Sequence, residues 1–145
     1  MLKDKQHRTN LILISLFLII IISSLYFSNI LKKNCGEDKS CFDNALKRCS
    51  GAVLTSVSSG NIYIYESYSS FSDDCKLKIT MAKATPGSEL ALRASLEGKS
   101  MKCVIPRSRL QEQSFSDMDD LAEFCTGPLK EAMYEMIVQR MYALV

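Results

Sequence analysis

The chain has 145 residues, of which 47% are apolar and 23% are charged, and it carries six cysteines, one histidine and no tryptophan. Three of the 18 basic residues and one of the 16 acidic residues precede residue 32, so the rest of the chain is electrically neutral. A neutral domain has no electrostatic reason to bind nucleic acid. The single histidine, His7, lies in the N-terminal tail, which excludes Ser-His and Cys-His nucleophilic sites from the domain.

The run Leu11–Leu31 contains no charged residue, no glycine and no proline. As a helix it extends about 30 Å, the thickness of one hydrocarbon core. Its serines can bond back to the preceding helical turn, and Tyr26 and Phe27 lie where aromatic rings favour the membrane interface. We therefore predict a cytoplasmic tail over 1–10, a single transmembrane helix over 11–31 and one domain over 32–145.

A cleaved secretory signal is the alternative, because Lys3, Lys5 and Arg8 precede the apolar run. The apolar run is longer than a signal needs, and the rings of Tyr26 and Phe27 interrupt the small residues of a cleavage site. These features favour an uncleaved anchor. Basic residues flank the run on both sides and favour a cytoplasmic N-terminus only slightly.

The cysteines decide the orientation, since all six follow the apolar run: Cys35, Cys41, Cys49, Cys75, Cys103 and Cys125. An even number of cysteines in a short domain predicts disulfides formed in an oxidising compartment, and the pairing stays open. The absence of a C-x-x-C pair argues against a zinc ribbon or a thioredoxin-type redox site, and the sequence has no G-x-G-x-x-G motif or phosphate loop. We therefore predict neither a metal site nor a cofactor. We expect the domain to lie outside the cytoplasm, at the cell membrane.

The domain begins with a predicted helix over Gly36–Cys49, which Asp38 or Ser40 can cap and Gly51 ends. Cys41 and Cys49 would lie roughly 12 Å apart along its axis, so each must bond to another element. Apolar and polar residues then alternate in four predicted strands: Ala52–Ser58, Ile62–Tyr68, Cys75–Ala82 and Met101–Ile105. Short connections and one polar face predict an antiparallel meander.

The remaining segments are predicted to be mainly helical. Thr85 as a cap, Pro86 in the first turn and Gly98 after the end are typical of a helix over Thr85–Gly98. Its apolar residues also alternate, which leaves a strand possible. Arg107–Ser116 is predicted to be a polar linker, Ser116 to cap a helix over Asp117–Phe124, and residues 125–128 to form a sharp break. A final helix is predicted over Pro128–Leu144. This order predicts an α+β domain with an antiparallel sheet and helices packed on one face.

Two groups of side chains are candidate partner contacts. Tyr63 and Tyr65 lie on one face of a predicted strand, where they form a contact patch or are covered by a helix. Met133, Met136 and Met141 lie on the final helix, which is either deep in the core or docks a partner or a second copy.

Carboxylates at Asp73-Asp74 and in Asp117–Glu123 offer an alternative, an envelope hydrolase that uses two such groups. A turn and a helix N-terminus explain the same residues without catalysis. We therefore predict no catalytic residues.

The runs Asp38–Phe42 and Arg48–Ala52 resemble a pattern in small, membrane-anchored, cysteine-containing proteins of archaea. In those proteins a D-x-x-C-F helix ends in C-S-x-A and precedes a sheet with further cysteines. Gly51 stands here where that pattern has proline. The resemblance implies a location and a fold but no activity, because that family is uncharacterised.

The sequence thus predicts a single-pass membrane protein that displays a disulfide-held domain for binding or assembly. The lipid bilayer contacts it through Leu11–Leu31, and a protein partner or self-association is expected at the domain. The alternatives are the envelope hydrolase and a subunit of a membrane complex or surface filament.

Overall fold

The computed structural model describes residues 2–27, 32–84 and 95–143. The chain forms two compact units, residues 1–31 and residues 32–145.

The first unit contains helix α1, Leu2–Phe27. Its apolar side chains between Leu11 and Ile22 expose 39% to 65% of their surface. The hydroxyl of Ser24 donates to the carbonyl of Ile20 at 2.8 Å, the back-bonding expected of a serine in an apolar helix. Among the described residues, none of the helices is found to combine the length and apolarity needed to cross a membrane. Residues 28–31 of the predicted span lie outside the described residues.

The second unit is built on one six-stranded sheet whose strands are neighbours in chain order. The strands are β1 (Lys33–Asn34), β2 (Ala52–Ser58), β3 (Asn61–Tyr68), β4 (Asp74–Lys83), β5 (Ser100–Pro106) and β6 (Cys125–Thr126). Strands β2 to β6 form an antiparallel meander, which confirms that prediction for the four longer strands. Strand β1 pairs in parallel with β2. It was not predicted, because two residues are too few to show an alternation of apolar and polar side chains.

One face of the sheet carries the hydrophobic core. In β4 the side chains of Cys75, Leu77, Ile79 and Met81 are buried, whereas Lys76 between them is exposed. Strand β5 repeats this pattern, burying Met101, Cys103 and Ile105. The predicted sheet with one polar face is therefore confirmed.

Helices cover the apolar face: α2 (Lys39–Lys47), α3 (Arg107–Glu112) and α4 (Pro128–Ala143). Asp38 caps α2, because its carboxylate accepts the backbone N–H of Cys41 at 3.0 Å. The predicted end of this helix at Gly51 is wrong. Arg48 is the C-terminal cap, and Cys49 turns the chain with a φ of +48°.

The predicted linker over 107–116 is also wrong, because residues 107–112 form α3. The fixed φ of Pro106 suits a helix start, and Leu110 is fully buried in the core. The predicted helix over 117–124 is replaced by two short 3-10 turns, Phe115–Asp117 and Leu121–Phe124. Phe115, Met118, Leu121 and Phe124 all pack against the core, and their spacing of three residues matches the period of a 3-10 turn and not that of an α-helix.

The predicted break over 125–128 is wrong in part, and the predicted helix over Thr85–Gly98 is mostly untested. Cys125–Thr126 is not a simple break, because it pairs with β5 as strand β6 before the chain turns at Gly127. The predicted helix over Thr85–Gly98 lies mostly outside the described residues. Its described end contains the buried Leu96 and a turn at Gly98, with a φ of +78°.

We expect Gly127→Ala to destabilise the domain more than Gly36→Ala. Both glycines have a positive φ, which strains an alanine, and the φ of +125° at Gly127 lies outside the left-handed region that Gly36 occupies at +57°. A Cβ at Gly127 would also lie 3.1 Å from the carbonyl oxygen of Ser100, whereas one at Gly36 meets nothing within 4 Å. Denaturant unfolding of the oxidised protein should show at least about 1 kcal/mol more loss for Gly127→Ala. Equal losses would contradict the close approach of Gly127 to β5.

Candidate functional site

Three disulfides use all six cysteines, which confirms the predicted framework. The pairs are Cys35–Cys41, Cys49–Cys75 and Cys103–Cys125, with Cα–Cα distances of 5.7, 4.9 and 3.9 Å. Each bond joins a peripheral segment to a neighbouring element: β1 to α2, the end of α2 to β4, and β6 to β5. Cys41 and Cys49 bond to other cysteines and not to each other, as predicted, although Cys49 lies just past the end of α2.

The disulfides differ in their exposure to solvent. Cys49, Cys75, Cys103 and Cys125 are all at most 2% exposed, whereas Cys35 is 8% exposed and its partner Cys41 is only partly buried. The Cys35–Cys41 bond is therefore the most accessible of the three to a reductant.

A brief pulse of a phosphine reductant should accordingly open Cys35–Cys41 first, because attack requires access to sulfur. Alkylating the new thiols with one reagent, and the rest with a second reagent after full reduction, lets peptide mapping order the three bonds. Opening of Cys49–Cys75 at the same rate would contradict the burial of that bond.

The candidate tyrosines lie on the core face of the sheet. The ring of Tyr65 packs edge-on against Phe42 at 6.3 Å and against Phe115 at 5.6 Å. Burial, with a smaller contribution from Tyr63, raises the pKa of Tyr65 above its ordinary value. Tyr63 and Tyr65 thus serve the core, although both remain partly exposed.

Helix α4 presents the largest apolar surface of the described part of the second unit. Among the side chains of this helix that the structure describes, only Leu129 and Ala132 are buried, and Met136 packs at the edge of the core. The other apolar side chains are 39% to 79% exposed, and we call them the α4 face: Met133, Tyr134, Ile137, Val138, Met141 and Tyr142. The helix is therefore not deep in the core. Its C-terminal half extends past the residues that pack on the sheet.

The α4 face includes Met133 and Met141 of the predicted contact residues but not Met136. The sequence places Tyr134, Ile137, Val138 and Tyr142 on the same helix without marking them as contacts. The available signal is that apolar residues occupy more than one side of this helix, more than packing on one sheet requires.

A small ionic cluster lies on the opposite, polar face of the sheet. The ammonium of Lys32 is 2.9 Å from Glu66 Oε1 and 4.1 Å from the ring centroid of Tyr68, and Lys78 is 3.7 Å from Glu66 Oε2. The hydrogen bond from Lys32 and the charge of Lys78 lower the pKa of Glu66 below its ordinary 4.5, against the effect of burial.

Glu66→Gln should therefore lower stability at neutral pH, by less than about 1 kcal/mol for an ion pair near the surface. Since the folded pKa is lowered, this contribution is present above pH 4.5 and disappears as the pH falls through the folded value. Denaturant midpoints of the two proteins, measured from pH 7 to pH 3, should converge at the acidic end. A constant difference would show that Glu66 acts through packing instead.

The candidate carboxylates lie at the surface. Asp73, Asp74, Asp117, Asp119 and Glu123 are exposed. Asp120 forms an ion pair with Arg109 of α3, so this carboxylate has a structural partner. Within the described ranges, no group of three histidine, cysteine or acidic side chains is arranged to hold a metal ion.

Comparison of the chain with models of known families, with curated proteins and with solved structures finds no significant match. The resemblance of the segment Asp38–Ala52 to archaeal membrane-anchored proteins accordingly stays a prediction. The α4 face, the disulfides and the apolar N-terminal run are the features that bear on function.

Proposed function

We propose that the chain is a single-pass membrane protein whose disulfide-held domain lies outside the cytoplasm and assembles with a second copy through the α4 face. The observation that carries the proposal is the α4 face itself, because monomeric proteins rarely leave a large contiguous apolar patch in water. The uncharged run Leu11–Leu31 supports the anchor, and the three disulfides support an oxidising compartment.

The size of the α4 face favours a symmetric pair. Six partly exposed side chains, two of them tyrosines, offer an area on the order of several hundred Å², near the lower end of what one partner contributes to a stable interface. Residues 137–142 of this face lie on the half of the helix that extends past the core, so a second helix can approach them without moving the sheet. A two-fold pair of identical helices would cover both faces at once.

If both chains are anchored in the bilayer, a modest interface is sufficient for them to pair. Two chains held in the same bilayer meet at a much higher effective concentration than two chains free in solution. Glu135 and Gln139 are exposed on α4 beside the apolar side chains and would remain in water when the α4 face is covered.

Ile137→Glu tests the assembly role. Burying an unpaired carboxylate at the centre of the pair should weaken self-association by about tenfold or more. Gln139→Glu is the matched control, because it introduces the same charge on the polar side and should leave association unchanged. Sedimentation equilibrium of the full chain in density-matched detergent measures both. A wild-type chain that stays monomeric at all concentrations, or a control as weak as Ile137→Glu, would contradict the proposal.

The anchor has a separate test. The double substitution Leu18→Arg and Ile21→Arg places two charges near the middle of the proposed span, each costing roughly 3 kcal/mol there. The variant should be extracted from membranes by alkaline carbonate, whereas the wild-type chain and the variant Leu18→Ala, Ile21→Ala should stay in the pellet. Extraction of the wild-type chain would contradict the anchor.

A further inference from the structure

The α4 face holds the sulfur atoms that an oxidant in solution can reach most easily. All six cysteines are closed in disulfides, so no thiol is present to react first. Six of the seven methionines lie in the described part of the chain. The two exposed ones are Met133 and Met141, at 39% and 57%, and both belong to the α4 face.

The other described methionines are shielded. Met81, Met101 and Met118 are at most 8% exposed within the core, and Met136 is partly buried at its edge. Because an oxidant must reach the thioether sulfur directly, these side chains should react more slowly than the two on the α4 face. Accessible thioether sulfur is therefore concentrated on the one apolar surface that the proposed pair uses.

The two exposed methionines flank the centre of the α4 face. Residues four apart form one row along the surface of a helix, and here the row is Leu129, Met133, Ile137 and Met141. The exposed fraction rises along this row, from 1% at Leu129 to 39%, 53% and 57%. The row thus leaves the core after its first residue, and the two methionines lie about one turn on either side of Ile137, at the centre of the proposed pair.

Hydrogen peroxide converts a thioether to a sulfoxide without any other reactant. A lone pair of the sulfur attacks one peroxide oxygen, so that an S–O bond forms as the O–O bond breaks. The second oxygen leaves as hydroxide and takes up the proton of the transferred hydroxyl to give water. The sulfur loses two electrons and the peroxide gains them, and a flexible apolar side chain becomes a polar one.

A sulfoxide on the α4 face would oppose pairing. Its oxygen is hydrogen-bonded to water in the single chain and would lose those bonds when a second α4 face covers it. Among the six side chains of that face, only the hydroxyls of Tyr134 and Tyr142 can donate a hydrogen bond in return. Each oxidised methionine therefore adds a cost to the pair that the apolar thioether does not.

We propose that Met133 and Met141 are a sulfoxidation site for peroxide, and that their oxidation separates the pair formed through the α4 face. This inference rests on the proposed assembly and adds its regulation. Because pairing covers both sulfurs, oxidation acts on separated chains and prevents them from pairing again.

The test combines peptide mapping with sedimentation. The full chain in density-matched detergent is treated with graded hydrogen peroxide, quenched, and either digested to locate each added oxygen by mass or centrifuged to equilibrium. The double variant Met133→Leu, Met141→Leu cannot be oxidised at the site, and leucine keeps the size and apolarity of methionine. Met136→Leu is the matched control on the same helix.

Met133 and Met141 should gain oxygen about tenfold faster than Met81, and the treated wild-type chain should associate about tenfold more weakly than the untreated one. The double variant should associate like the untreated wild-type chain both before and after peroxide. Met136→Leu should stay as sensitive to peroxide as the wild-type chain, because its substitution leaves both exposed sulfurs in place.

Each contrary result has its own meaning. Equal rates of oxidation at Met133, Met141 and Met81 would overturn the modification site, whether or not the chain associates. An equal loss of association in the double variant would overturn the regulation and leave the proposed pair intact. An untreated wild-type chain that stays monomeric would contradict the pair and its regulation together, while the oxidation rates would still decide the modification site.

Discussion

The bond between Cys49 and Cys75 fixes the chain just past the end of α2 against strand β4 in the middle of the sheet. Cys49 itself has the left-handed φ that turns the chain there. A domain of about 110 residues buries a small core, so covalent cross-links contribute much of what holds its periphery. The other two disulfides act at the edges, joining β1 to α2 and β6 to β5. Together they attach the first and last segments of the domain to the sheet. Burial of the apolar face of β4 and β5 contributes the rest of the stabilisation.

This framework has different consequences at the two ends of the domain. At the start of the domain, β1, the turn 48–51 and the turn 69–73 are joined by hydrogen bonds. Where the chain leaves, the Cys103–Cys125 bond and Leu129 fix the first part of α4, while the rest of the helix extends past the core.

The spacing of apolar residues, together with capping and turn residues, predicted the parts of the fold that are long and regular. The alternation of Cys75 to Met81 was readable because its buried side chains repeat at one spacing. The helix from Pro128 was readable because apolar residues recur at helical spacing along it, although few of them are buried. Strand β1, α3 and the 3-10 turns were not, because each depends on one or two contacts made by the fold, such as buried Leu110. Composition predicted disulfides but not their partners. The sheet register places Cys103 opposite Cys125, and the position of α2 brings the other two pairs together. The α4 face was only partly predicted, since a sequence shows which residues are apolar but not where a helix leaves its sheet.

We propose that residues 32–145 fold outside the cytoplasm, with every cysteine paired, on a chain that stays in the membrane. The most direct test is the intact mass of the chain purified from native membranes and alkylated under denaturing conditions, with and without prior reduction. We predict no alkylation before reduction and alkylation of all six cysteines after it. Cysteines that react before reduction would contradict the oxidising location, and with it the argument that places this domain outside the cytoplasm.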